Sequence, residues 1–148
     1  MTSKEFFKKY AEYAKANEEA TGVPYLVCLA QAALESAWGS KAPENNFFGI
    51  KAGKHWKGST QILRTKEFIN GQMVSVKDYF RAYDTPLECF QDYADLLKRR
   101  FTKAFNYGEP ESFIHSVQHE HPYKYATDPK YAQKIIVIIH KLREYEDA

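Results

Sequence analysis

The stretch Tyr25–Trp38, YLVCLAQAALESAW, decides the fold. Leu26, Val27, Cys28, Leu29, Ala30, Ala32, Ala33, Leu34 and Ala37 leave it almost without a polar face. A helix that is apolar nearly all round is a buried centre against which other helices pack. Pro24 suits a first helical position and Gly39 a stop. Upstream, Thr2-x-x-Glu5 has the form of a capping box and predicts a helix to about Ala20. Phe6, Tyr10 and Ala14 line its inner face, Phe7 lies beside them, and Thr21-Gly22 breaks it. Downstream, Thr85, Pro86 and Glu88 open another helix, whose Leu87, Phe90, Ala94, Leu97 and Phe101 repeat at three–four spacing. A short helix is expected after Pro110. Asp128-Pro129 is expected to cap a last helix holding Tyr131, Ile135, Ile139 and Leu142.

Between Phe48 and Tyr83 the pattern changes. Glycines and β-branched residues appear, and Asn70-Gly71 is a two-residue hairpin signal. Strands are expected at about Ser59–Ile69 and Gln72–Tyr83. A two-residue turn pairs Ile69 with Gln72, Phe68 with Met73, Glu67 with Val74, Lys66 with Ser75 and Thr65 with Val76. Alternation then groups Glu67 with Leu63, Ile69, Val74 and Val76, and puts Arg64, Lys66, Ser75 and Lys77 on the opposite face. Helices with one inserted antiparallel pair define an α+β class.

At 148 residues, with no repeat, low-complexity tract or Pro/Ser-rich linker, one domain covering residues 1–148 is expected. A formal charge of +2 and 27% charged residues argue against a dedicated nucleic-acid binder and against global disorder. No apolar run reaches the roughly 20 residues of a membrane span. Met1–Tyr10 has charged residues but no apolar core, so no signal peptide is read there; export by another route or a trimmed chain is expected. Cys28 and Cys89 are too few for a disulfide scaffold and read as buried free thiols on helices. Aromatic residues make up 16%, with 11 Tyr, which suits sugar or base stacking as well as ordinary core packing.

Glu35 is the sharpest chemical feature. A carboxylate on a buried helix is costly to ionise, and near a helix C-terminus the dipole disfavours its charge. Both effects raise its pKa toward what a general acid needs. A Glu neutralised by a structural Arg or Lys fits the same pattern. Glu67 is the second candidate, an acid on the mainly apolar hairpin face, although a one-residue register slip would turn it to water. Two carboxylates in one cleft suggest glycoside hydrolysis.

Gln31–Ala52, QAALESAWGSKAPENNFFGIKA, resembles the signature of the peptidoglycan glucosaminidases of glycoside hydrolase family 73. The similarity continues through Trp56–Gly58 (WKG), Thr65–Phe68 (TKEF), Phe80–Thr85 (FRAYDT) and Tyr125–Ile135 (YATDPKYAQKI), and so spans most of the chain. The resemblance implies a lysozyme-like fold and hydrolysis of the β-1,4 bond between N-acetylglucosamine and N-acetylmuramic acid in peptidoglycan glycan strands. Glu35 matches the general-acid position in Glu-Ser-x-Trp-Gly. Glu67 stands where the family has a second acid of less uniform role. Tyr125 matches a cleft tyrosine, with Tyr123 two residues earlier as a competing assignment. Action on the wall implies a periplasmic or extracellular site. No cofactor is implied, and a monomer is expected.

Asn46 and Phe48 are read as sugar-cleft residues, against a turn and a core alternative. Trp56 is a sugar-stacking or loop-anchoring ring, and Trp38 is packing beneath the acid helix. His115 and His119 have the i,i+4 spacing of metal ligands, but no Glu follows His115 as in H-E-x-x-H, so no metal is expected. His121 precedes Pro122, which is expected to end that helix. Lys98-Arg99-Arg100 reads as a solvated helix face with weak attraction for anionic polymer. The rivals on the same residues are a lytic transglycosylase, which closes the muramic 6-hydroxyl onto C1, and a non-catalytic wall-binding module.

Overall fold

The computed structural model describes residues 1–147. Among them the order is α1 (Ser3–Thr21), α2 (Tyr25–Glu35), β1 (Thr60–Ile69), β2 (Gln72–Arg81), α3 (Pro86–Arg100), α4 (Pro110–His119) and α5 (Tyr131–Arg143), with short 3-10 turns at Pro43–Asn45 and Thr102–Asn106. The α+β class follows: a helical lobe with one two-stranded antiparallel sheet.

α2 is the centre. Its residues Leu26 to Ala33 are all buried, and α1, α4 and α5 pack around it. α1 starts in the expected capping box, Thr2 Oγ1 accepting from Glu5 N at 3.1 Å and Glu5 Oε1 from Thr2 N at 2.9 Å. Gly22 ends it at φ +88°, a conformation that costs a side chain about 1 kcal/mol or more. Phe6 of α1 meets Trp38 edge-on at 5.5 Å, so Trp38 packs against α1. Cys28 and Cys89 are buried free thiols; burial pushes Cys89 up to about 12.

The last helix departs from expectation at its start. It opens at Tyr131, and Asp128 caps from further out, Oδ1 accepting from Lys130 N at 2.9 Å and its carbonyl from Tyr131 N at 3.1 Å.

The hairpin takes the expected register, from Ile69 opposite Gln72 to Thr60 opposite Arg81. Asn70 (φ +51°) and Gly71 (φ +80°) form the left-handed turn that matches strand twist. Beyond Arg81, Ala82 N still donates to Ser59 O in register, but Tyr83 N leaves the ladder and donates to Glu44 O, which ends β2. The outer face leaves Ile62, Phe68, Met73 and Tyr79 exposed. The base is stapled to the loop that leaves the acid helix: Lys51 bridges Phe80, Ala52 N donates to Tyr79 O, and Arg81 N donates to Ile50 O.

Candidate active site

α2 stops at Glu35, three residues before the expected end. Ala37 and Trp38 adopt φ +49° and +57°, and Gly39 follows at +85°. Ser36 Oγ donates back to Ala32 O at 2.6 Å and accepts from Gly39 N at 2.9 Å, which locks this turn. Glu35 is expected near the helix C-terminus, and the early stop puts it at the very end. It is the final helical residue, and its side chain reaches solvent.

Neighbouring protein still strips part of its hydration. Burial raises the Glu35 carboxyl above the ordinary carboxylate range, and a hydrogen bond from the Tyr131 hydroxyl to Oε2, at 3.2 Å, draws it partly back. Among the described residues no cation pairs with Glu35, so the alternative of a structural ion pair has no partner. A partly desolvated, unpaired carboxyl open to solvent on one side can release a proton to a bound molecule.

Tyr131 is the first residue of α5 and is buried. It accepts from Gln31 Nε2 at 3.0 Å, and Gln31 Oε1 accepts from the Tyr93 hydroxyl. Tyr125 stacks on Tyr131 with ring centroids 5.6 Å apart and 21° between planes. Burial holds both phenols far above their usual range, and nearby Glu35 adds to this. Gln118 holds the Tyr125 segment, its Oε1 accepting from Tyr125 N at 2.7 Å and Ala126 N at 3.1 Å.

Tyr125 also lines a cavity of about 180 Å³ with Ile50, Leu96, Arg100 and Lys124. Tyr123 is exposed, under the guanidinium of the same Arg100 at 4.8 Å from the ring centroid. A larger cavity of about 450 Å³ lies across α3 against Trp56, with Arg81, Asp92 and Asp95. It touches neither Glu35 nor Tyr125, so size alone does not locate the chemistry.

Glu67 lies on the half-buried face of the hairpin. It is not solitary there: Lys51 Nζ is 2.7 Å from Glu67 Oε1 and 3.1 Å from Asp78 Oδ2. Lys51 comes from the loop stapled along β2, so this triad ties the hairpin to the segment leading from Glu35.

Asn46 and Phe48, expected in the sugar cleft, are both buried, Phe48 as in its core alternative and Asn46 as a clamp. Asn46 is buried, its Nδ2 donating to Ile50 O at 3.0 Å and Arg81 O at 2.9 Å and its Oδ1 accepting from Ile50 N at 3.1 Å. Phe48 is buried and stacks on Tyr93 at 4.1 Å. Trp56 anchors a loop: its indole donates to Ser59 O at 2.9 Å, and the Arg81 guanidinium covers the ring at 4.5 Å. A Cβ at Gly58 would lie 2.4 Å from that indole, so the position requires glycine. His115 and His119 lie side by side at 4.6 Å, but among the described residues no group of three potential ligands forms. His121 is an anchor, Nε2 accepting from Lys103 N at 3.0 Å and Nδ1 bonding Ser116 O at 2.9 Å.

The sequence singled out neither Gln31 nor Lys51, and it placed Tyr131 only in a core stripe. The available signal for Gln31 was a lone amide in an apolar helix, four residues before Glu35 and hence on the same face.

An acid at the end of a central helix, beside two tyrosines, in a helical lobe that carries one stapled hairpin, fits a glycosidase-type α+β domain. The chain belongs to the glucosaminidase family described as mannosyl-glycoprotein endo-beta-N-acetylglucosaminidase, which matches residues 11–144. It is 36% identical to the peptidoglycan hydrolase FlgJ of Escherichia coli K12 over 98% of this chain and 48% of that protein. It is 34% identical to an autolysin of Enterococcus faecalis over 96% of this chain and 21% of that one. The glycoside hydrolase domain of Salmonella typhimurium FlgJ has the same fold, with a TM-score of 0.85 at 35% identity, covering 99% of this chain and 92% of that one. The chain spans about half the length of the FlgJ relatives it matches.

Proposed function

We propose that this domain hydrolyses the β-1,4 bond between N-acetylglucosamine and N-acetylmuramic acid in bacterial peptidoglycan, with Glu35 as general acid. The observation that supports this most directly is the Glu35 carboxyl itself: paired with no cation among the described residues, raised by burial and held by Tyr131. Membership of the glucosaminidase family and the likeness to proteins named peptidoglycan hydrolase supply the substrate class.

Glu35 protonates the glycosidic oxygen, and the C1–O bond breaks with its electron pair going to that oxygen. Charge developing at C1 is met by water, by Glu67 or by the substrate acetamido oxygen. Tyr125, stacked on the tyrosine that bonds Glu35, and exposed Tyr123 offer faces for sugar rings. Arg100 and Lys124 favour the carboxylates of wall polymer.

Zymography on purified wall, followed by product mass, tests this. Clearing by the wild type, none by Glu35→Gln, and reducing N-acetylglucosamine ends are expected. Anhydro-muramic ends would make the domain a lytic transglycosylase, and binding without clearing a wall-binding module.

A further inference from the structure

We propose that Gln31 and Tyr93 are positioning residues for Glu35, forming a one-way hydrogen-bond chain, Tyr93 to Gln31 to Tyr131 to Glu35, that selects which carboxyl oxygen holds the acid proton. This rests on the reading of Glu35 as general acid.

All the groups behind Glu35 are interior: Gln31 is 0%, Tyr93 1% and Tyr131 3% exposed. Each phenol has one proton, and the amide has a donor end and an acceptor end. Gln31 Nε2 lies 3.0 Å from the Tyr131 oxygen and, as a pure donor, obliges that oxygen to accept. The Tyr131 proton is then free to go to Glu35 Oε2, 3.2 Å away. The amide turned end for end would place Oε1 against Tyr131, take its proton and leave Glu35 without a donor. Tyr93 opposes that arrangement, because its hydroxyl donates to Gln31 Oε1. In the turned arrangement the Tyr93 proton would be unpaired in the core, at a cost of about 1–3 kcal/mol. Tyr93 therefore acts as a lock two bonds away from the acid.

The lock has a chemical consequence. With Oε2 committed as acceptor, the acid proton resides on Oε1, the oxygen left for substrate. Once Oε1 has given the proton up, Tyr131 donates to a full carboxylate, and a charge-assisted hydrogen bond is about twice as strong as a neutral one. The chain is thus worth more at the transition state than in the resting acid. The titratable groups facing Glu35 are Tyr131 from α5 and Tyr125 from the segment before it, both held neutral by burial.

The test is the Glu35 titration midpoint, read by carboxyl NMR on substrate-free protein, beside the pH–rate profile on purified wall. Tyr131→Phe should raise the midpoint by about half a pH unit or more. Tyr93→Phe, which touches nothing on Glu35, should raise it in the same direction by less, because the amide can now turn. Gln31→Met leaves the Tyr131 hydroxyl only Glu35 to bond. Combined with Tyr93→Phe, it should cancel the Tyr93→Phe shift and also leave no orphaned hydroxyl that could unfold the core. A Tyr93→Phe midpoint equal to wild type while Tyr131→Phe moves it would overturn the lock, as would a shift that survives in the double variant. A wild type that titrates as described but digests no wall would leave the chain standing and remove the glycosidase reading.

Discussion

The Glu35 carboxyl is raised because burial penalises its charge more than the Tyr131 hydrogen bond rewards it. The folded pKa is thus above the unfolded one, so ionising Glu35 costs stability as pH rises through that pKa. Glu35→Gln should lose about 10²-fold or more in turnover, the general-acid contribution, and should melt no lower than wild type at neutral pH. A Gln variant retaining above about a tenth of the rate removes Glu35 as the acid. Glu67 has the opposite environment, an accessible pair with Lys51 at 2.7 Å. Such pairs contribute about 0–1 kcal/mol, so Glu67→Gln should leave the melting temperature nearly unchanged. If the Glu67 charge faces the sugar at C1, kcat falls by about tenfold or more; a wild-type rate strikes Glu67 from the catalytic groups. Glu35 was legible as a single charge in an apolar run. Tyr131 and Gln31 were not, because a buried phenol and amide satisfied by partners about a hundred residues away leave no periodic trace.

At the scale of elements, periodicity and turn chemistry were enough for α1, α3 and the hairpin register. Thr2, Thr85 and Asn70-Gly71 each have a local reason to sit where they do. The end of α2 was not legible. Its stop is made by left-handed Ala37 and Trp38, residues with no intrinsic preference for φ > 0, held there by Ser36 and by Trp38 packing on Phe6. The same limit applies to Asn46, which reads as a turn residue or a cleft residue until its three bonds to Ile50 and Arg81 show it to be a clamp. The hairpin is fastened at its base, so its turn can be disturbed with little effect on the helices. Gly71→Val places a β-branched residue at φ +80°, costing about 1–2 kcal/mol or more locally. It should lower kcat/KM on wall while the helical melting transition shifts little. A large drop in that transition would mean the hairpin supports the core.

For the whole molecule, catalysis by carboxyl groups needs no metal. EDTA should leave wall clearing unchanged, and loss restored by zinc would return His115 and His119 to consideration. One contribution to acid stability lies on the face where α4 meets α5. Glu111 is held by a two-pronged pair with Arg143, Oε2 to Nη1 at 2.7 Å and Oε1 to Nη2 at 3.1 Å, with His140 Nε2 3.2 Å from Oε2. The Arg143 bonds depress its carboxyl to about 2 against an ordinary 4.5. A depressed folded pKa means the native state binds fewer protons than the unfolded chain. The stabilisation is therefore complete above about pH 4.5 and lost as pH falls toward about 2. The pair is partly exposed, so its worth is about 1 kcal/mol or less. Glu111→Gln should melt slightly below wild type at neutral pH, with the gap closing over that acid window and wall clearing at neutral pH unaffected. Differential scanning calorimetry at a series of pH values reads both curves. Parallel curves down to pH 2 would show that the α4–α5 clip contributes nothing to acid stability, and that the loss on acidification comes from other carboxylates such as Asp128 beside Lys134.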